Sequence, residues 1–265
     1  MAAELLRRGL LDHRRALAGW CLGIVGYCVL VASIYPSIKG YSGFEKLVQQ
    51  YPTALKSLFS IGGDITTGAG FLDTELFSLM LPLLVLTLAI GSGARTFAGE
   101  EETGRLELVL AYPLRRRNAV LAKAAALAAE IAVVCAVGFA ALAVLDGIVG
   151  LGLDFGHLAE ALLGIAVLGL LFGWVAVAVG AAWPSKLLAL GVPAGYAAAA
   201  YLVGGLHSLA GWLDPLRVLS PFWLVGQSPL QNGFDGWGVL AVSLAAVAVL
   251  AAGALLVERR DLELP

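Results

Sequence analysis

Six long apolar runs divide the chain, and nearly all its charged residues fall in the intervals between them. A helix needs roughly 20 mostly apolar residues to cross the hydrocarbon core of a bilayer. Residues 17–35, 75–94, 119–145, 158–183, 187–209 and 237–257 each meet that length. Pro36 and Pro184 are expected to stop the first and fourth spans, Pro82 to kink the second, and Pro193 lies inside the fifth. The pattern predicts an all-α integral membrane protein with six transmembrane helices in a single domain over residues 1–265. The first run, Ala16 to Ile34, exceeds the roughly 7–15 apolar residues of a signal peptide, and no small-x-small cleavage site closes it, so it reads as a retained span.

Basic residues orient the spans. With both termini inside, thirteen of the 17 Lys and Arg residues fall on the cytoplasmic side and four, Lys39, Lys46, Lys56 and Arg217, on the other. The N- and C-termini are therefore expected in the cytoplasm, and an even number of spans agrees. Two outer segments are long. Residues 36–74 contain the amphipathic stretch Phe44 to Val48 and then the glycines Gly62, Gly63, Gly68 and Gly70, which predict a short surface helix followed by a flexible turn. Residues 210–236 carry Pro215, Pro221, Pro229, Trp212, Phe222 and Trp223, which suits either a re-entrant hairpin or an ordinary aromatic belt.

Composition removes several classes. The chain is 60% hydrophobic and 14% charged, against roughly 25% charged in soluble domains. That excludes a soluble enzyme and a disordered chain. A net charge of −2 offers no basic field for nucleic acid. Cys21, Cys28 and Cys135 lie inside apolar runs without metal-ligand spacing, and His13, His157 and His207 are scattered, so no metal site is expected. There is no G-x-x-x-x-G-K-[ST] phosphate loop and no G-x-S-x-G elbow.

Glu130 is the one carboxylate deep inside a predicted span, with Lys123 seven residues earlier on roughly the same face. Such a group is costly in lipid unless paired or facing water. It suits either a translocation path or an interhelical pair. The pairs Gly19 and Gly23, Gly169 and Gly173, and Gly191 and Gly195 permit close helix approach, within one chain or between two.

The cytoplasmic segment from Phe97 to Arg117 is the most informative. Glu100, Glu101 and Glu102 suit a helix N-terminus, Leu106, Val109 and Leu110 share one face, Pro113 ends the helix, and Arg115, Arg116 and Arg117 anchor the next span at the inner leaflet. This is an amphipathic helix lying along the membrane. On the residues alone, it is either a plain interfacial helix or a docking element for a cytosolic partner.

This segment resembles the type-2 family of ABC export permeases. The family's acidic pair, glycine, Leu-Glu-x-Leu-Leu run, proline and basic cluster read here as Glu101-Glu102, Gly104, Leu106-Glu107-Leu108-Val109-Leu110, Pro113 and Arg115-Arg116-Arg117. Lys123, Leu219-Ser-Pro-Phe222, Pro229-Leu-Gln-Asn-Gly233 and the tail Glu258 to Leu262 also fit. Arg105 departs from a common Thr, and Arg115 and Arg116 replace a small polar-Arg pair.

The resemblance implies the membrane subunit of an ATP-driven exporter. Residues 99–112 would be a coupling helix, with Glu100, Glu101, Glu102, Gly104, Arg105, Leu106, Glu107 and Leu108 docking a separate ABC ATPase that binds ATP and Mg; this chain would hold no cofactor and catalyse nothing itself. A second permease, identical or different, would complete a cargo path lined mainly by spans one, two and five. An apolar path suits a hydrophobic or amphiphilic cargo. Three rivals stand beside this reading: a membrane anchor or assembly subunit for a cytosolic partner, an integral-membrane enzyme using Glu130, and a secondary transporter.

Overall fold

The computed structural model describes residues 2–39, 50–58, 65–96, 98–99, 116–183 and 185–259, with side chains omitted at 2–13, 116 and 259. The described residues are helical and contain no strand. The long helices are α1 (Ala2–Lys39), α4 (Met80–Thr96), α5 (Arg116–Val149), α6 (Phe155–Ala182), α7 (Lys186–Leu206) and α10 (Gly236–Arg259). Short helices α2 (Thr53–Leu58) and α3 (Gly68–Leu72) precede α4, and α8 (Pro221–Val225) and α9 (Pro229–Asn232) precede α10. Six stretches are long and apolar enough to cross a membrane: Arg14–Lys39, Gly68–Thr96, Arg117–Val149, Phe155–Ala182, Lys186–Leu206 and Gly236–Glu258.

The helix α6 is the hub. It packs against α4, α5, α7 and α10. The most apolar window of this helix is 67% buried and that of the 68–96 span 61%, against 22–33% for the other four spans. Small residues set this arrangement. A Cβ on Gly93 would lie 2.5 Å from the carbonyl oxygen of Gly173, and one on Gly173 would lie 2.8 Å from Leu127 and 3.2 Å from Ala89. Of the three glycine pairs in the sequence, Gly169 and Gly173 therefore pack within the chain. A Cβ on Gly19, Gly23, Gly191 or Gly195 would meet nothing within 4 Å.

Two local expectations are corrected. The first helix runs through Pro36 to Lys39 instead of stopping at Tyr35. Pro36 is exposed and only three residues from the end, so its ring displaces little and only the Ala32 carbonyl loses its usual donor. The Gly68 and Gly70 patch is a helix start and not a flexible turn. Thr67 caps it, accepting from Gly70 N at 3.1 Å, and a Cβ at Gly68 would sit 2.1 Å from the Leu151 carbonyl oxygen. The second span is correspondingly longer than expected. Its break falls just before Pro82, where a π-helical turn, Asp73–Phe77, gives way to Met80–Thr96. Pro82 has no N–H to offer Ser78, and the wide turn absorbs the mismatch.

Residues 210–236 form a broken hairpin: a 3₁₀ turn, Asp214–Leu219, then α8 and α9. Ser220 ties it to α7, donating from its hydroxyl to Ala200 O at 2.7 Å while accepting from Trp223 N at 3.3 Å.

Candidate functional site

An apolar groove of about 580 Å³ lies between α4 and α7. Its walls are Leu79, Pro82, Leu83, Leu86, Thr87, Ile90 and Gly91 on one side and Leu190, Ala194, Ala197, Ala198, Tyr201 and Leu202 on the other, with Phe222 of the hairpin at one end. The amphipathic logic of the two helices builds it. Leu86 and Ile90 face the core around Phe172, and alanines at 194, 197 and 198 leave the space that larger side chains would fill. Thr87 and Tyr201 carry the groove's hydroxyls, and both are already committed: Thr87 donates to Leu83 O at 2.7 Å and Tyr201 to Leu58 O at 2.8 Å. The surface therefore offers dispersion contacts and little else. It suits a hydrophobic body and no hydrated ion.

A second, smaller cavity of about 70 Å³ sits at the hairpin end of the groove and shares Pro82, Tyr201 and Phe222 with it. Asp73, 1% exposed, lines this cavity. The carboxylate of Asp73 accepts from Leu230 N at 3.0 Å, Gln231 N at 3.2 Å and Gln231 Nε2 at 3.3 Å. It thereby caps α9, whose own N-cap Ser228 is left-handed (φ 53°) and provides no side-chain bond. Glu160 Oε2 accepts from Phe234 N at 3.3 Å, and His157 Nδ1 lies 3.2 Å from Leu230 O. The hairpin is thus held by acidic side chains from the second and fourth spans. Asp154 caps α6 on the same side, and accepting from His157 N holds its carboxyl below the usual range.

The residues singled out from sequence fall in three places. Glu100, Glu101, Glu102, Gly104, Arg105, Leu106, Glu107, Leu108 and Arg115 lie outside the described residues, as does nearly all of the 99–112 segment. Arg116 begins α5, and Arg117 Nε stands 3.7 Å from Glu258 Oε1 of α10. Lys123 donates to the carbonyl oxygen of Thr96, the last residue of α4. A cation at a helix C-terminus is favourably placed. The contact pins the two helices that flank the 99–112 segment directly to each other.

Glu130 is 5% exposed on α5, one turn from Leu127 and beside Ile131 in the core; it is not among the residues lining the groove. Cys28 and Cys135 are buried and Cys21 half-buried, all as free thiols. The described residues contain no cluster of His, Cys, Asp or Glu fit for a metal.

Sequence reasoning missed Asp73 and Tyr201, and met Ser220 only inside the motif Leu219-Ser-Pro-Phe222, without a role for its hydroxyl. Asp73 had a signal, an acid directly before an apolar run, but it stood just outside the predicted span. The roles of the other two hydroxyls become visible only when Leu58 and the hairpin pack against α7.

Among known families, the one described as the C-terminal domain of the multidrug efflux system permease Rv1217c matches residues 10–257. A comparison with curated proteins finds no match. The match covers all six helices, and their lengths agree with a multi-pass protein of the cell membrane. The chain belongs to this efflux permease family, which is consistent with the ABC export permeases its 97–117 segment resembles.

Proposed function

We propose that this chain is the membrane subunit of an ATP-driven exporter of hydrophobic or amphiphilic molecules. The observation that carries the reading is the 580 Å³ apolar groove between the second and fifth spans, in a chain whose family is named for multidrug efflux. A second permease facing the groove would close it into a path, and both termini would lie in the cytoplasm as the basic residues argue. The segment 99–112 would dock a separate ABC ATPase, which would bind ATP and Mg. The tie between Lys123 and Thr96 supports that coupling, because it makes the flanking helices move as a pair when the segment is pushed. ATP binding shifts inward- and outward-open populations only as far as it binds them differently.

Blocking the groove tests this. Ala198 lines it and is exposed, so Ala198→Trp fills it without disturbing the core. In inverted vesicles carrying the permease and ATPase, the variant should lose ATP-dependent uptake of a lipophilic dye by at least tenfold while keeping its melting temperature. Unchanged uptake would place the path elsewhere.

A further inference from the structure

We propose that the Asp73 cavity receives the cationic head of an amphiphile whose apolar body lies in the groove, which makes the cargo class lipophilic cations. The inference rests on the export reading above. Asp73 is buried, and its three hydrogen-bond donors, Leu230 N, Gln231 N and Gln231 Nε2, are all neutral. Among the described residues no basic side chain forms an ion pair with it. The ring of His157, on the facing end of α6, bonds Leu230 O and not this carboxylate. Glu160, which holds the same hairpin, adds negative charge. A buried carboxylate bonded by neutral donors alone gains from a cation that enters the cavity it lines.

The cavity is shaped for such a guest. About 70 Å³ holds several waters or one ammonium head. Phe77, Tyr201, Phe222 and Trp223 wall it, and aromatic faces attract cations. The Trp223 ring already carries one cation, with the Arg217 guanidinium 4.8 Å from its centroid. Ser228, held at φ 53°, is a strained residue in the same wall. The partition from the groove includes the side chains of Tyr201 and Phe222, edge to face at 5.6 Å, which rotamer changes can open.

The test uses the purified permease–ATPase complex in nanodiscs, with empty nanodiscs subtracted. Radiolabelled dodecyltrimethylammonium is bound at equilibrium and displaced by the unlabelled cation, by dodecanol or by dodecyl sulfate, which share its chain, while ATP hydrolysis is followed in parallel. The cation should displace at a concentration at least tenfold below either competitor. Asp73→Asn should erase that preference while dodecanol binding holds. Because Asp73 also caps α9, Trp223→Leu serves as a second variant, with a severalfold loss of cation affinity expected. Equal displacement by all three heads would overturn the inference and leave the export reading standing. Absence of saturable binding together with absence of ATP hydrolysis would overturn both.

Discussion

Ser220 shows how much one hydroxyl holds. Fully buried, it bonds the Ala200 carbonyl on α7 and the Trp223 amide on α8 together. Ser220→Ala leaves the Trp223 amide without its partner and cuts the tie to Ala200, and should cost about 1–3 kcal/mol. A lower melting temperature of the detergent-solubilised protein, with loss of hydrogen-exchange protection confined first to residues 210–236, would show it. Asp154 gives a pH-dependent counterpart. The hydrogen bond it accepts from His157 N depresses its carboxyl, so the stabilisation is present above the unfolded carboxylate range. It is lost as pH falls through the lower, folded value. The His157 amide resonance should therefore show a step below the ordinary carboxylate range, and Asp154→Asn should abolish that step.

At the level of elements, close approach separates two kinds of glycine. Gly93→Ala drives a methyl against the Gly173 backbone and should destabilise the protomer by about 1–3 kcal/mol. Gly191→Ala enters open space inside a helix and should raise the melting temperature of the isolated protomer slightly. If a second permease packs on α7, Gly191→Ala should instead weaken the dimer, which light scattering of the solubilised complex would report. The six long helices were legible because apolar runs of membrane length have few other uses. Their ends were less so: Pro36 near a terminus does not break a helix, and Gly68 serves a close contact with Leu151, a partner far along the chain. The hairpin was legible as a proline- and aromatic-rich insertion, but the capping of α9 by Asp73 was not. A cap supplied from 157 residues away leaves no local pattern.

At the scale of the whole molecule, the hub helix α6 packs against four other spans and α1 lies against α5, with a groove between α4 and α7 and a polar clamp at one end of it. Hydropathy alone could give the ring but not the groove, because the space depends on alanines at 194, 197 and 198 falling opposite Leu86 and Ile90. At the other end, the contact between Lys123 and Thr96 joins α4 to α5 where the 99–112 segment leaves and returns. On the proposed coupling, force applied to that segment would reach the groove wall through α4.

The most direct test of ATP-driven export is to co-express the permease with a candidate ABC ATPase from the same source, purify through a tag on the permease and measure ATP hydrolysis. The account predicts a stoichiometric complex that hydrolyses ATP, with Glu101→Arg and Leu108→Asp losing the ATPase or its coupling while the permease still folds. A well-folded permease that retains no ATPase, or variants that hydrolyse as the parent does, would contradict it.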